Sequence, residues 1–358
     1  MRYTARTICL TSATLLLLAA CGGSHRDTRR TRYTDLGDVR SLPVEVIRFD
    51  SIFLSADTAQ TDDVMLQLAE QYADFTNVWA WEILGVDTSE HDNLNAMARS
   101  LRLFLSDLEI DRKIQAHQAD FEQIGTRLGD AYARMQSLGF EISVPQIYCY
   151  VSGLQKQPYY YELTGLDKPI IGNGTYYAVS TDMYLGADEP IYHELANVNQ
   201  YQLNGMNPEY IASDIMLADL FMYFPYEPQQ DRLIDNMIYY GRIYYILSVL
   251  FPDLSGKDII EYTAEQWDWC IENEANIWGQ VLSNKDLFQG DQMLVSKYMS
   301  DAPYTEPISR KAPGRLGAWI GWRIVEQYME NNTDISLQQL MQHPVGAQTL
   351  LEQSAYKP

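Results

Sequence analysis

His193 and Glu194, in the run Tyr192-His193-Glu194-Leu195-Ala196-Asn197, come nearest in this chain to a spacing with known chemistry. In His-Glu-x-x-His two imidazoles share a helix face and hold zinc, while the Glu polarises the metal-bound water. Here the second His position is Asn197. A neutral amide oxygen is a poor zinc ligand beside an imidazole. A third ligand has to come from downstream: Asp214, or Glu272 and Glu274 on a later helix beside Asn276 and Trp278. The candidate metal set is therefore His193, Asp214 and Glu274, with Glu194 as general base and zinc as the cofactor. The competing reading makes these acids helix caps and solvated surface. The missing His favours that second reading, so the expectation is no catalytic residue and no cofactor.

The elements around this run decide whether it can work. Residues 176–184 alternate like a strand and lead into it past Gly186, where a zinc peptidase places an edge strand to pair with substrate. Upstream, Lys168 to Ser180 reads as strand, Gly-Asn-Gly turn, strand, because Gly and Asn tolerate the positive φ of a tight hairpin. Pro145 to Val151 reads as a buried strand and Val44 to Phe49 as a β-branched one. Helical periodicity covers Val64, Leu68, Tyr72 and Phe75, then Leu94, Met97, Leu101, Phe104 and Leu105. It returns in Ile114, Phe121, Ile124, Leu128, Ala131, Met135 and Leu138, stopping at Gly139. From Asn207 the chain is almost all helical. Asn207-Pro208-Glu209 marks one helix start. Thr263-Ala264-Glu265-Gln266 marks another, read as a polar, acidic start short of an ideal capping box. The fold class expected is α+β, predominantly helical, with a small sheet in the first half packed on a helical, zincin-like body.

Leu18-Ala19-Ala20-Cys21 is a lipobox, preceded by basic Arg2 and Arg6 and an apolar core from Leu15. Such a segment is cleaved, leaving Cys21 to carry lipid. Residues 1–20 are thus expected to be a lipoprotein signal peptide and 21–40 a polar, flexible tether. Residues 41–358 are expected to be a single domain. The longest other apolar run, Met237 to Phe251, holds Arg242 and is shorter than the ~20 residues a membrane crossing needs. Of the four cysteines, Cys149 and Cys270 remain in the domain, and two buried free thiols are expected. The chain carries 26 Lys+Arg against 48 Asp+Glu, a formal net charge of −22. That excess disfavours nucleic acid and anionic headgroups as partners.

Gly314, Gly317 and Gly321 clear side chains from a helix that should begin near Gly314, flanked by Trp319, Trp322 and Arg323. Each helical Gly costs roughly 0.5–1 kcal/mol relative to Ala, so close packing or ligand access must compensate. Packing is the expected use, and a groove floor the sharper alternative. The stretch Ala312 to Val325, with Arg315, Gly317, Trp319, Gly321 and Trp322, carries a family likeness. So do Pro208 to Asp214, Met237 to Tyr245, Tyr262 to Cys270, Asn273 to Trp278, Ser354 to Pro358 and Arg48-Phe49-Asp50. With these motifs the chain resembles the GldB family of gliding-motility lipoproteins of the Bacteroidota, over most of residues 44–358.

That resemblance implies a layout similar to helical zinc peptidases in which the full metal motif is generally not kept. It also implies an envelope lipoprotein associated with gliding and type IX secretion. The expected function is a non-catalytic scaffold or adaptor, lipid-anchored, with envelope proteins of that complex as partners. Gly22 to Arg26 lacks an acidic export cluster, so the periplasmic face of the outer membrane is the expected location. The alternatives are a zinc metallopeptidase with an incomplete motif and, on the strength of 26 Tyr and 7 Trp, a glycan- or peptide-binding module.

Overall fold

A computed structural model describes residues 32–33, 35–37, 39–55, 57–155, 168–195, 198–228 and 230–358. The signal segment, Cys21, residues 22–31 of the tether and Asn197 lie outside the described residues. Strands β1 (Val46–Arg48), β2 (Gln146–Tyr150), β3 (Ile170–Gly172) and β4 (Tyr176–Ser180) form one sheet in the order β1-β2-β4-β3. The first three in that order run parallel, and β3 closes the edge antiparallel to β4. Parallel strands are covered on both faces, which is why β2 and β4 are apolar without alternation. The β3–β4 turn is as expected: Gly174 has φ +84°, and the Asn173 carboxamide accepts from the Thr175 and Tyr176 amides. β1 stops one residue before Phe49, because Asp50 is buried and needs donors. It accepts from Arg48, the Ser51 amide and the Thr181 hydroxyl.

The link from β1 to β2 holds α1 (Phe49–Ser55), α2 (Thr61–Gln71), α3 (Ala73–Trp79), α4 (His91–Asp107), α5 (Ile110–Ala116) and α6 (Gln118–Ser137). On α4 the buried apolar face is Leu94, Ala98 and Leu105, while Met97 and Phe104 are exposed. The expected stripe was set off by small Ala98 and by Arg102, whose guanidinium turns inward to the Leu54 carbonyl. His117 breaks the third helical stretch into α5 and α6 and binds the Leu185 carbonyl at 3.0 Å. Gly139, at φ +89°, ends it as expected.

The second half contains α7 (Ile211–Tyr223), α8 (Leu233–Leu250), α9 (Gly256–Ile260) and α10 (Ala264–Asn284). It continues through α11 (Gln292–Met299), α12 (Leu316–Asn331), α13 (Leu337–Gln342) and α14 (Ala347–Ser354). Thr263 and Gln266 form a complete capping box at α10, fuller than the sequence reading gave it. α8 is apolar nearly all round because it is the central core helix. No helix among the described residues is long and apolar enough to cross a membrane. α8 lies against α12 with backbone close to backbone: a Cβ on Gly321 would stand 1.7 Å from the Met237 carbonyl oxygen, and one on Gly241 2.3 Å from Gly321. Gly317 faces Met299 and Tyr298 of α11, and Gly314 faces Ala302. The glycine ridge is thus a packing surface and not a groove floor. The buried core runs continuously from Ile47 to Tyr356. Cys149 and Cys270 are both free and buried.

Candidate functional site

α7 is buried on every side through its first two turns, so Asp214 enters the core with no access to water. A buried carboxylate requires donors, and distant segments supply them. Lys168, just ahead of β3, donates from Nζ to Asp214 Oδ2 at 2.9 Å, and the Tyr184 hydroxyl donates to the same oxygen at 2.6 Å. Lys168 also bonds Glu261 and approaches the Gly205 carbonyl at 3.5 Å. Glu261 follows α9 in the left-handed region, φ +57°, and Arg315 precedes α12 in the same region, φ +58°. Such backbone costs of order 1–3 kcal/mol per non-Gly residue and persists only where neighbours over-determine it.

Arg315 supplies much of that determination. Its guanidinium donates to the Ile260 carbonyl at 2.7 Å and to the Tyr244 hydroxyl at 3.3 Å, with Asp301 at 3.5 Å. Tyr262 returns a hydroxyl to the Gly314 carbonyl. Two cations and three carboxylates therefore meet between the end of the sheet, α7, α9 and the start of α12. Burial opposes the charge on Arg315, yet Tyr244, Asp301 and Glu261 hold its pKa above the ordinary value. Lys168 is likewise opposed by burial and raised by Asp214 and Glu261. Asp214 is pushed well above the usual carboxylate range by burial and by the neighbouring Glu261 charge, against the pull of Lys168. Glu261 is buried too, but Lys168, Asp214 and Arg315 bring it below its ordinary value. The cavity beside Glu261, lined also by Lys168, Gly205, Asp301 and Arg315, has a volume of about 20 Å³. A water needs at least roughly 10–15 Å³ by the same measure, so the space suits a water and not a substrate.

The sequence candidates divide accordingly. Asp214 and Arg315 belong to this cluster. Gly317, Trp319, Gly321 and Trp322 are buried behind it, with Trp267 lying 6.4 Å from Trp319 and 6.1 Å from Trp322, ring to ring. His193 and Glu194 are elsewhere, at the end of a short 3₁₀ turn, Pro190–His193, and not on an α-helix. Tyr192 explains the turn: its hydroxyl, fully buried, donates to the Asp182 carbonyl and accepts from the Leu185 amide, leaving His193 and Glu194 exposed. Glu274 sits in a separate cluster, accepting from Arg323 at 2.9 Å and from the Tyr356 hydroxyl at 2.8 Å. Among the described residues no three His, Cys, Asp or Glu side chains gather as metal ligands would. His193, Asp214 and Glu274 therefore do not fit a zinc site.

The edge-strand expectation is also corrected: β4 is an interior strand, hydrogen-bonded to β2 and β3, and offers no free edge to a substrate. Lys168 and Glu261 went unnoticed in the sequence. The available signal was Asp214 itself, a carboxylate inside a run apolar on every helix face, which demands a buried cation. No curated protein and no solved structure matches the chain. Residues 33–358 match the family model of the gliding motility protein GldB, and so the chain belongs to the GldB family of gliding-motility lipoproteins.

Proposed function

We propose that this chain is a non-catalytic adaptor of the gliding and type IX secretion machinery, held by lipid on Cys21 at the periplasmic face of the outer membrane. The domain of residues 41–358 follows a tether of residues 21–40, whose Tyr33 carbonyl accepts from Arg134 at 2.9 Å. The observation that carries the adaptor reading is the burial of Asp214 inside an ion-paired cluster. Lys168 and Tyr184 occupy one of its oxygens, and the buried cluster joins four segments of the fold. A carboxylate committed in this way stabilises architecture and presents nothing to a substrate. The partners on this reading are envelope proteins of the same complex, and the charge of −22 argues against nucleic acid.

Complementation of a deletion strain tests this, with Cys21→Ser and Glu194→Gln compared at matched protein level. The adaptor reading expects gliding to be lost with the first variant and kept with the second. Loss of gliding with Glu194→Gln, in abundant and correctly located protein, would refute it.

A further inference from the structure

Arg242 stands in the middle of the central helix α8, in an otherwise apolar stretch, and among the described residues no acidic side chain is paired with it, although Glu227 and Asp235 line the same space. Its Nε is buried without a hydrogen-bond partner, and the bond found for its guanidinium is a long one, 3.4 Å from Nη1 to the Leu340 carbonyl. Burial pulls its pKa down to about 10. The residue is half-buried, and a guanidinium held this deep without an acid to pair it is unfavourable. The side chain also lines two cavities, of about 320 and 410 Å³, which share Glu227, Tyr239, Arg242 and Pro344. Together they make a groove between α8, residues 223–228 and the α13–α14 corner at 341–349. Volumes of this size are typical of ligand pockets.

We propose that this groove binds a carboxylate carried on an extended chain, with Arg242 as the residue that receives it. A guanidinium pairs a carboxylate through charge-assisted N–H···O bonds, and here the donors that reach the groove are those at the tip of Arg242, since its Nε is enclosed. One cation matches one negative charge. The groove's other arginine, Arg232, is already committed to Asp235 at 2.8 Å, which leaves one cation, and exposed Glu227 at the rim repels a phosphate dianion more strongly than a carboxylate monoanion. The Tyr226 and Tyr239 rings, 4.8 Å apart, and Pro225, Pro228 and Pro344 give flat walls for the chain that bears the carboxylate. This inference stands independently of the adaptor reading.

Calorimetry and thermal melts of the full-length chain in detergent, with four probes, test it: N-acetyltyrosine, N-acetyltyrosinamide, acetate and inorganic phosphate. N-acetyltyrosine should bind and raise the melting temperature, while the amide should bind at least tenfold more weakly. Arg242→Gln should remove the difference. Acetate weaker than N-acetyltyrosine assigns a chain-borne acid, and acetate equal to it assigns a free acid of the same chemistry. Arg242→Met should melt higher than the parent without ligand, because it removes a half-buried guanidinium that no acid pairs. Binding that is equal for acid and amide, unchanged in Arg242→Gln, or strongest for phosphate would overturn the proposal. No binding by any probe, together with a lower melting temperature for Arg242→Met, would make Arg242 a structural residue and overturn it as well.

Discussion

Tyr262 and Arg315 hold each other's backbone. The Tyr262 hydroxyl donates to the carbonyl of Gly314, and the Arg315 guanidinium donates to the carbonyl of Ile260 while lying 5.8 Å from the Tyr262 ring centre. The exchange locks the end of α9 to the start of α12, the two places where Glu261 and Arg315 take left-handed backbone. It also aims Glu261 at Lys168 and so closes the ionic cluster around Asp214.

Breaking either side of the exchange should cost stability unequally. Tyr262→Phe leaves the buried Gly314 carbonyl without its donor, a loss of about 1–3 kcal/mol. Arg315→Met removes a cation from among buried acids and should cost about 3–5 kcal/mol. The double variant should lose less than the two single losses added together, because the residues share one structure. Denaturant unfolding of the four proteins checks this, and strict additivity would deny the coupling.

The two helical glycines of the α12 ridge should differ. Gly321→Ala drives a methyl into the Met237 carbonyl, which is backbone and cannot turn aside. Gly317→Ala meets Met299 Sδ at 2.6 Å, near the end of a flexible side chain, and the nearest backbone atom, the Tyr298 carbonyl oxygen, only at 3.1 Å. Overpacking costs typically 1–3 kcal/mol; Gly321→Ala should reach the upper end of that range and Gly317→Ala the lower. Thermal melts in which the two variants shift equally would contradict this packing.

Acid and base should act on the cluster in opposite directions. Glu261 titrates below its ordinary 4.5 when folded, so its contribution is present above pH ~4.5 and fades as pH falls through the folded value. Asp214 titrates well above its ordinary 3.8 when folded, so its contribution is full below pH ~3.8 and is lost as pH rises through the folded value. Asp214→Asn mimics the protonated acid. It should flatten the loss on the alkaline side and keep the loss on the acid side. A stability–pH curve with an unchanged alkaline limb would show that Asp214 is ionised throughout.

Local patterns carried much of this fold. The β3–β4 hairpin follows from the Gly-Asn-Gly turn, the end of α6 from Gly139, and the packed glycine ridge from its helical spacing. Distance along the chain hid the rest. Lys168 and Glu261 are 93 residues apart, and no periodicity links a lysine ahead of a strand to a glutamate after a helix. His193-Glu194 misled for a related reason. Two residues of a motif say nothing of the backbone that carries them, and here buried Tyr192 fixes a 3₁₀ turn. The exposed Met97 and Phe104 on α4 show the same limit: apolar spacing found buried Leu94 and Leu105, but small Ala98 and inward-turned Arg102 complete the face in place of Met97 and Phe104.

Lipidation of Cys21 should be the anchor. Cys21→Ser should leave the thermal unfolding of the domain unchanged and move the protein from the membrane to the soluble fraction. Two acyl signals give firm anchoring, at about 0.8 kcal/mol per buried methylene. A variant still firmly in the membrane fraction would reveal a second anchor.

The central claim is that the carboxylates of this chain build architecture and do not perform a reaction. Its most direct test is complementation of a deletion strain by the double variant Glu194→Gln/Asp214→Asn, scored for gliding with protein level and location checked alongside. Both substitutions keep side-chain shape and remove the acid that a general base or metal ligand needs, a loss that costs a working hydrolase about 10²- to 10⁴-fold in rate. The account predicts that the variant is folded, abundant, correctly located and restores gliding. A variant that is abundant and correctly located yet fails to restore gliding would contradict it.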